Sequence, residues 1–224
     1  KIHIFGPAAG EQACGDIGPG RMLEALELVD AAAGLFISGS LAGKKVVITA
    51  GPTREAIDPV RYISNHSSGK MGYALAQAAA EAGAQTVLIS GPTQLIAPER
   101  VKFIAVTTAE DMLAASLQEA QGCDLFIAAA AVADYRPAQI AAHKIKKIAE
   151  AETMLLELVK NPDIVATIAA LEQKPFVVGF AAESENLIAY AQQKLTRKNL
   201  DLMIANNIAA TGIGFNSDDN AVTV

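Results

Sequence analysis

The sequence predicts an α/β fold, a mostly parallel sheet with helices on both faces. Three observations carry that expectation. From Lys44 onward, short runs rich in Val and Ile alternate with longer Ala-rich segments of helical periodicity, the order that parallel strands and their crossovers impose. One of them, "DLFIAAAAVADY", is apolar along its length, as a strand covered on both faces is. Aromatic residues make up only 5% of the 224 residues and Trp is absent, which suits helices packed closely on a sheet.

Taken in order, residues 1–43 stand outside this rhythm. "KIHIFGPAAGEQACGDIGPGRM" is rich in Gly and Pro and reads as a flap, "LEALELVDAAAGLF" as a short helix, and "SGSLAGKK" as a linker, which places a boundary near residues 38–43. The second region, 44–224, opens with the strand "KKVVITAGP" and the helix "MGYALAQAAAEAGA", stopped by Gly83. The strands "QTVLISGP" and "VKFIAVT" follow, then a helix, "TAEDMLAASLQEAQ", opened by a capping box of Thr107 and Glu110. "DLFIAAAAVADY" is expected to be a long fourth strand. Beyond the Lys-rich "KIKK" and "LLELVKN", a helix opens at "PDIVATIAALEQ" with Pro162 in its first turn; "PFVVGFAAE", "NLIAYAQQKLTRKN" and "DLMIANN" complete the alternation. Ligands of such doubly wound sheets lie beyond the carboxyl ends of the strands, so "TAGPTRE", "AAVADY", "GFAAES" and "ANN" are expected to share one crevice. The chain starts at Lys1 and ends in "DDNAVTV", which reads as a strand begun, so a fragment of a longer polypeptide is expected.

A 51% hydrophobic content with mean hydropathy +0.28 suffices for a buried core. The net charge of -6 and pI near 5.1 argue against nucleic acid or a membrane surface as the main partner, and no apolar run reaches about 18 residues. Cys14 and Cys123 form no CxxC pair, which points to a reducing, cytoplasmic compartment, and no His/Cys/Asp spacing suggests a structural metal.

The candidate chemistry lies in polar stretches between apolar ones. "RYISNHSSGKMG", residues 61–72, crowds hydrogen-bonding side chains where a strand hands over to a helix, either as a helix cap or as an anion site. It is not a Walker loop, because Ser64 stands where the first Gly is needed and Met71 where Ser or Thr is needed. A dinucleotide fingerprint is also absent after the first strand; Tyr190 and Lys194 do form the Tyr-x-x-x-Lys pair of reductases, which keeps a nicotinamide-dependent reductase as the rival reading. Lys144, Lys146 and Lys147 crowd one loop, and Lys194, Arg197 and Lys198 share one helix face; both are solvated surface or seats for a polyphosphate. Arg61 could grip a terminal phosphate, and Asp134 could receive a ribose hydroxyl or serve as a turn residue. Asn65 is either a helix cap or a neutral donor to a carbonyl or acyl phosphate where charge builds. His66 is a proton carrier or a turn residue, and Cys14 a buried small residue or a thiol on the flap.

Together "ITAGPTRE", "DPVRYISNHSSGKMG", "AAVADY", "KIKK", "VKNPDIV", "VVGFAAE", "RKNLDLMIANN" and "GFNSDDN" resemble the phosphopantothenate-cysteine ligase domain of the bifunctional bacterial coenzyme A biosynthesis proteins, collinearly over 44–224. "QACGDIGPGRM" resembles the closing flap of the decarboxylase half that precedes it. The resemblance implies a Rossmann-like sheet and ligation of 4'-phosphopantothenate to L-cysteine, with CTP forming an acyl-cytidylate, Mg2+ assisting, in a homodimer that the decarboxylase half builds into a larger oligomer. By position it implies that Asn65, Ala130, Ala131 and Asp134 meet the acyl-cytidylate and that Lys144 serves the triphosphate. Arg61 would reach across the dimer to the pantothenate phosphate. Pro162, Asp163, Ile164, Val165, Phe180, Lys194 and Lys198 would line the CTP pocket, and Cys14 would match the decarboxylase proton donor. The decarboxylase's FMN-binding body is missing from these residues, so FMN binding is not expected, and any further strand and helix of the ligase are expected to lie outside residues 1–224.

Overall fold

A computed structural model describes residues 2–11, 15–35, 39–146, 153–183, 187–207 and 221–224. Strands β1 (Ala8–Glu11) and β2 (Ile17–Arg21) pair antiparallel, and helix α1 (Ala25–Gly34) follows with no buried residue. The main sheet begins with β3 (Lys45–Ala50). A hairpin, β4 (Arg54–Ala56) with β5 (Tyr62–Ser64), is inserted before α2 (Lys70–Glu81). Then come β6 (Gln85–Ser90), β7 (Val101–Ala105), α3 (Ala109–Glu119) and β8 (Leu125–Ala128). A second hairpin pairs β9 (Tyr135–Pro137) with β10 (Leu158–Lys160). Helix α4 (Ile164–Ala169), β11 (Phe176–Glu183), α5 (Leu187–Arg197), β12 (Leu202–Asn207) and β13 (Val222–Thr223) complete the described chain.

Seven strands form one sheet in the order β13-β12-β11-β8-β3-β6-β7, all neighbours parallel except β13, which runs antiparallel at the edge. The six parallel strands therefore have the order of a Rossmann-like doubly wound fold, and the direction of winding reverses between β3 and β8. Alternation along β3 explains the two layers. Val46, Ile48 and Ala50 pack with Leu88 against Tyr73, Ala76 and Ala79 of α2 on one face. Val47 faces the other side, with Val87, Ile89 and Phe126 against Met112 of α3, Ile164 and Ile168 of α4, and Ala191 of α5. Close approach is needed on the α2 side: a Cβ on Gly72 would fall on the Ala50 side chain, so only Gly lets this helix sit down on its strand.

Three expected details shift. Thr108, not Thr107, caps α3: its hydroxyl accepts from the Asp111 amide (3.1 Å), and Asp111, not Glu110, answers by accepting from the Thr108 amide (2.9 Å). Asp and Thr complete the box as well as Glu and Ser do, one residue further along. Pro162 precedes the cap of α4 instead of sitting in its first turn; the cap is Asp163, whose carboxylate accepts from the Ala166 amide at 3.2 Å. The fourth strand stops at Ala128, because the next residues leave β11 and stay with the end of β3. Ala129 N donates to Thr49 O (3.2 Å), Ala131 N to Gly51 O (2.9 Å) and Ala133 N to the Thr53 hydroxyl (2.9 Å). Gly83, with φ 91°, ends α2 as expected.

Candidate active site

The reversal between β3 and β8 opens a crevice at their carboxyl ends. There a cavity of about 620 Å³ is lined by Thr49, by Ala128, Ala130, Asp134 and their neighbours, by Lys160 through Val165, and by Phe180, Lys194 and Lys198. The run of alanines after β8 matters because small side chains leave this floor open. Its backbone is tied down by polar groups that the apolar pattern hid: Ala130 N donates to the Thr49 hydroxyl (3.3 Å), and Asn161 Nδ2 donates to Ala133 O (2.8 Å) while its Oδ1 accepts from Arg136 Nη1 (3.1 Å). Asn161 N also donates to Asp134 O at 2.8 Å, so the loops of Asp134 and Pro162 are fastened side by side.

Of the residues singled out from sequence, Ala130, Asp134, Pro162, Asp163, Ile164, Val165, Phe180, Lys194 and Lys198 come together in this cavity. Lys198 Nζ lies 2.9 Å from Asp163 Oδ2, so the cation is already directed to the lip formed by the 162–165 turn. Asn65 is outside the lining but bound to it: its Nδ2 donates to Val132 O (2.9 Å) and Ala131 O (3.3 Å). It caps no helix. The residue before α2 is Gly69, in the left-handed conformation (φ 80°) and without a side-chain cap, packed against Gly51. Arg61 and Lys144 stand in a neighbouring layer, where Arg61 Nη2 donates to Ile145 O (2.9 Å) and pairs with Asp58. The Arg61 guanidinium beside Asp58 and the amides around it hold that carboxyl well below the usual carboxylate range. His66 is exposed. Cys14 and Lys147 lie outside the described residues.

Thr49, Lys160, Asn161, Gly179 and Met203 also line the cavity, though none was singled out individually as a site residue. Thr49 and Gly179 open "TAGPTRE" and "GFAAES", two segments expected at the crevice, but their residue types carry no signal of their own, whereas Asn161 before Pro-Asp is a visible turn signal. The reductase alternative loses its geometry. The connection from β3 to α2 carries the β4–β5 hairpin where a glycine-rich pyrophosphate turn would have to be, and Tyr190, 45% exposed, does not join Lys194 in the cavity.

Three lysines, two carboxylates and a floor of alanines thus line the switch-point crevice of a doubly wound α/β domain, the place where such sheets bind their ligands. The chain belongs to the DNA/pantothenate metabolism flavoprotein C-terminal domain family, whose model matches residues 41–224. It is 58% identical over 98% of its length to the coenzyme A biosynthesis bifunctional protein CoaBC of Vibrio cholerae, covering 55% of that protein. With CoaBC of Bacillus subtilis the identity is 47% over 97% of this chain and 54% of that protein. The chain thus spans about half the length of the curated relatives it matches. Among solved structures, it is similar to the C-terminal domain of a CoaBC protein, with TM-score 0.67 and 45% identity over 75% of this chain and 80% of that one. A Cab2 mutant in complex with phosphopantothenate-cysteine shares the fold, with TM-score 0.63 and 19% identity over 90% of this chain and 87% of that one.

Proposed function

We propose that this chain carries out the CTP-dependent joining of 4'-phosphopantothenate to L-cysteine. The carboxylate attacks the α-phosphorus of CTP and expels pyrophosphate; the cysteine amine then attacks the acyl carbon of the acyl-cytidylate, loses a proton and expels CMP, leaving 4'-phosphopantothenoylcysteine. The observation that carries this reading is the convergence of Lys194, Lys198, Asp134 and the 162–165 turn on one cavity of nucleotide size at the switch point. The lysines would meet phosphate oxygens as point charges, Lys198 exchanging Asp163 for phosphate, and Asp134 would receive ribose hydroxyls.

Asn65 stands against the Ala131–Val132 backbone, at the edge where the acyl group would emerge. A neutral amide there brings no repulsion to a mixed anhydride that already carries phosphate charge. Arg61 would take the phosphate of 4'-phosphopantothenate bound to the other copy of a homodimer, and Lys144 would reach the triphosphate. No group of three or more His, Cys, Asp or Glu that could hold a metal occurs among the described residues. Mg2+ therefore fits as a companion of the triphosphate, with Asp134 and Asp163 the pocket carboxylates able to touch its shell, and it would neutralise charge on the departing pyrophosphate. FMN is assigned no role in these steps.

The test is pyrophosphate release by this chain with 4'-phosphopantothenate and each nucleoside triphosphate in turn. The proposal expects release with CTP that depends on the acid. Release without the acid, or none with any nucleotide, contradicts it; thermal protection by NADP and not by CTP would favour the reductase instead.

A further inference from the structure

Between the hairpins at the carboxyl ends lies a buried charge that the reaction just described does not use. The Asp58 side chain has no solvent exposure. Its Oδ1 accepts from the amides of Val60 (2.8 Å) and Arg61 (2.9 Å), the pattern of a local turn. Its Oδ2 does something else: it accepts from Arg61 Nε (3.1 Å) and Nη2 (2.5 Å), and from the amide of Ile145 (3.1 Å), 87 residues along the chain. Arg61 Nη2 returns to Ile145 O (2.9 Å), and Ala141 N donates to Ile57 O (3.0 Å). A turn needs only Oδ1. Oδ2 joins two separate segments, one carrying Arg61 and the other carrying Lys144, next to Ile145. With five donors around two oxygens, the carboxylate is fully coordinated, so neither segment can shift without leaving a buried charge short of partners.

We propose that Asp58 is a positioning residue that fastens Arg61 and the Lys144 loop into one unit, so that the arm for the substrate phosphate and the arm for the triphosphate are set by one buried carboxylate. This inference rests on the ligase reading for the roles of the two arms and on the geometry alone for the fastening. Asp58 also offsets the Arg61 charge and fixes the direction of the guanidinium.

The test uses Asp58→Asn, Lys144→Ala and the double variant. Amide hydrogen exchange over 141–146 is expected to quicken about tenfold or more in Asp58→Asn while β3 amides keep their protection. Pyrophosphate release is expected to fall about 10- to 100-fold in Asp58→Asn, the size of one lost charged hydrogen bond, and Lys144→Ala should then add little, although alone it costs as much. Unchanged exchange over 141–146, or losses that multiply in the double variant, overturns the proposal. Should Asp58→Asn fail to fold, Ile145→Pro removes the donated amide, along with the Ile side chain and some backbone freedom at 144 and 145, and leaves the Asp58 and Arg61 side chains in place; it must reproduce the faster exchange of the neighbouring amides, and normal protection there overturns the fastening. If the unaltered chain releases no pyrophosphate, the ligase reading falls, and the exchange measurement still decides whether Asp58 holds the loop.

Discussion

Phe126 and its neighbours in the sheet make their contacts through apolar surface, whereas Asp58, Asn65 and Asn161 in the layer above make theirs through small sets of directed hydrogen bonds that reach groups of other loops. In the sheet, Val47, Val87, Phe126 and Val177 are at most 1% exposed, and any apolar side chain of similar volume would serve nearly as well. In the upper layer a shift of one residue would lose the partner altogether. The difference teaches that stability and site geometry are separately encoded: the strands carry the fold, and a few amides and one carboxylate place the loops that form the crevice.

That separation can be broken from either side. Phe126→Ala should have the largest effect, about 3–5 kcal/mol of stability in urea unfolding, with CTP affinity of the folded protein unchanged. A parallel loss of affinity would mean that sheet and crevice are one unit. Gly72→Ala is expected to cost about 1–3 kcal/mol, because the new methyl meets Ala50 and α2 must move off β3. If thermal unfolding is unaltered, the close approach of α2 is not required.

In the upper layer, Asn65→Asp replaces a donor with a charge facing the carbonyls of Ala131 and Val132. It should slow consumption of the acyl-cytidylate by cysteine more than its formation, by about 10- to 100-fold in single-turnover assays, the scale of one lost electrostatic contact in a transition state. Equal impairment of both steps would remove Asn65 from that role.

The smallest effect is on acid stability. Glu119 is held below the usual glutamate range by the Lys102 ammonium (2.6 Å) against the opposing effect of burial, with Lys45 (3.3 Å) assisting. Because its folded value is depressed, this contribution is fully present above the unfolded value of about 4.3 and is lost as the pH falls through the folded value. Glu119→Gln should therefore flatten the fall in melting temperature below about pH 4.3 and leave its slope near neutrality alone. An unchanged acid limb would show that the pair adds nothing.

The sheet was legible from sequence because apolar runs and Ala-rich helices have simple periods, and the order of alternation fixes how they wind. The helix face carrying Lys194 and Lys198 was legible from spacing for the same reason. The end of β8 was not, since "IAAAAVADY" is equally apolar whether it pairs with β11 or follows β3; the hydroxyls of Thr49 and Thr53 make that choice, and both are buried, in a segment whose pattern marks a strand end but not its partner. Asp58 was hidden differently. "DPV" reads as a turn, and its link to Ile145 joins positions that no local pattern connects.

The most direct test of the crevice as a triphosphate seat is a calorimetric comparison of CTP and CMP binding to the unaltered chain and to Lys198→Ala. CTP should bind more tightly than CMP, and Lys198→Ala should narrow that gap about tenfold or more, because only the triphosphate reaches the lysine lost. If the two nucleotides bind alike, or if the gap survives the substitution intact, the lysines at the carboxyl end of the sheet do not hold phosphate and the account is wrong at its centre.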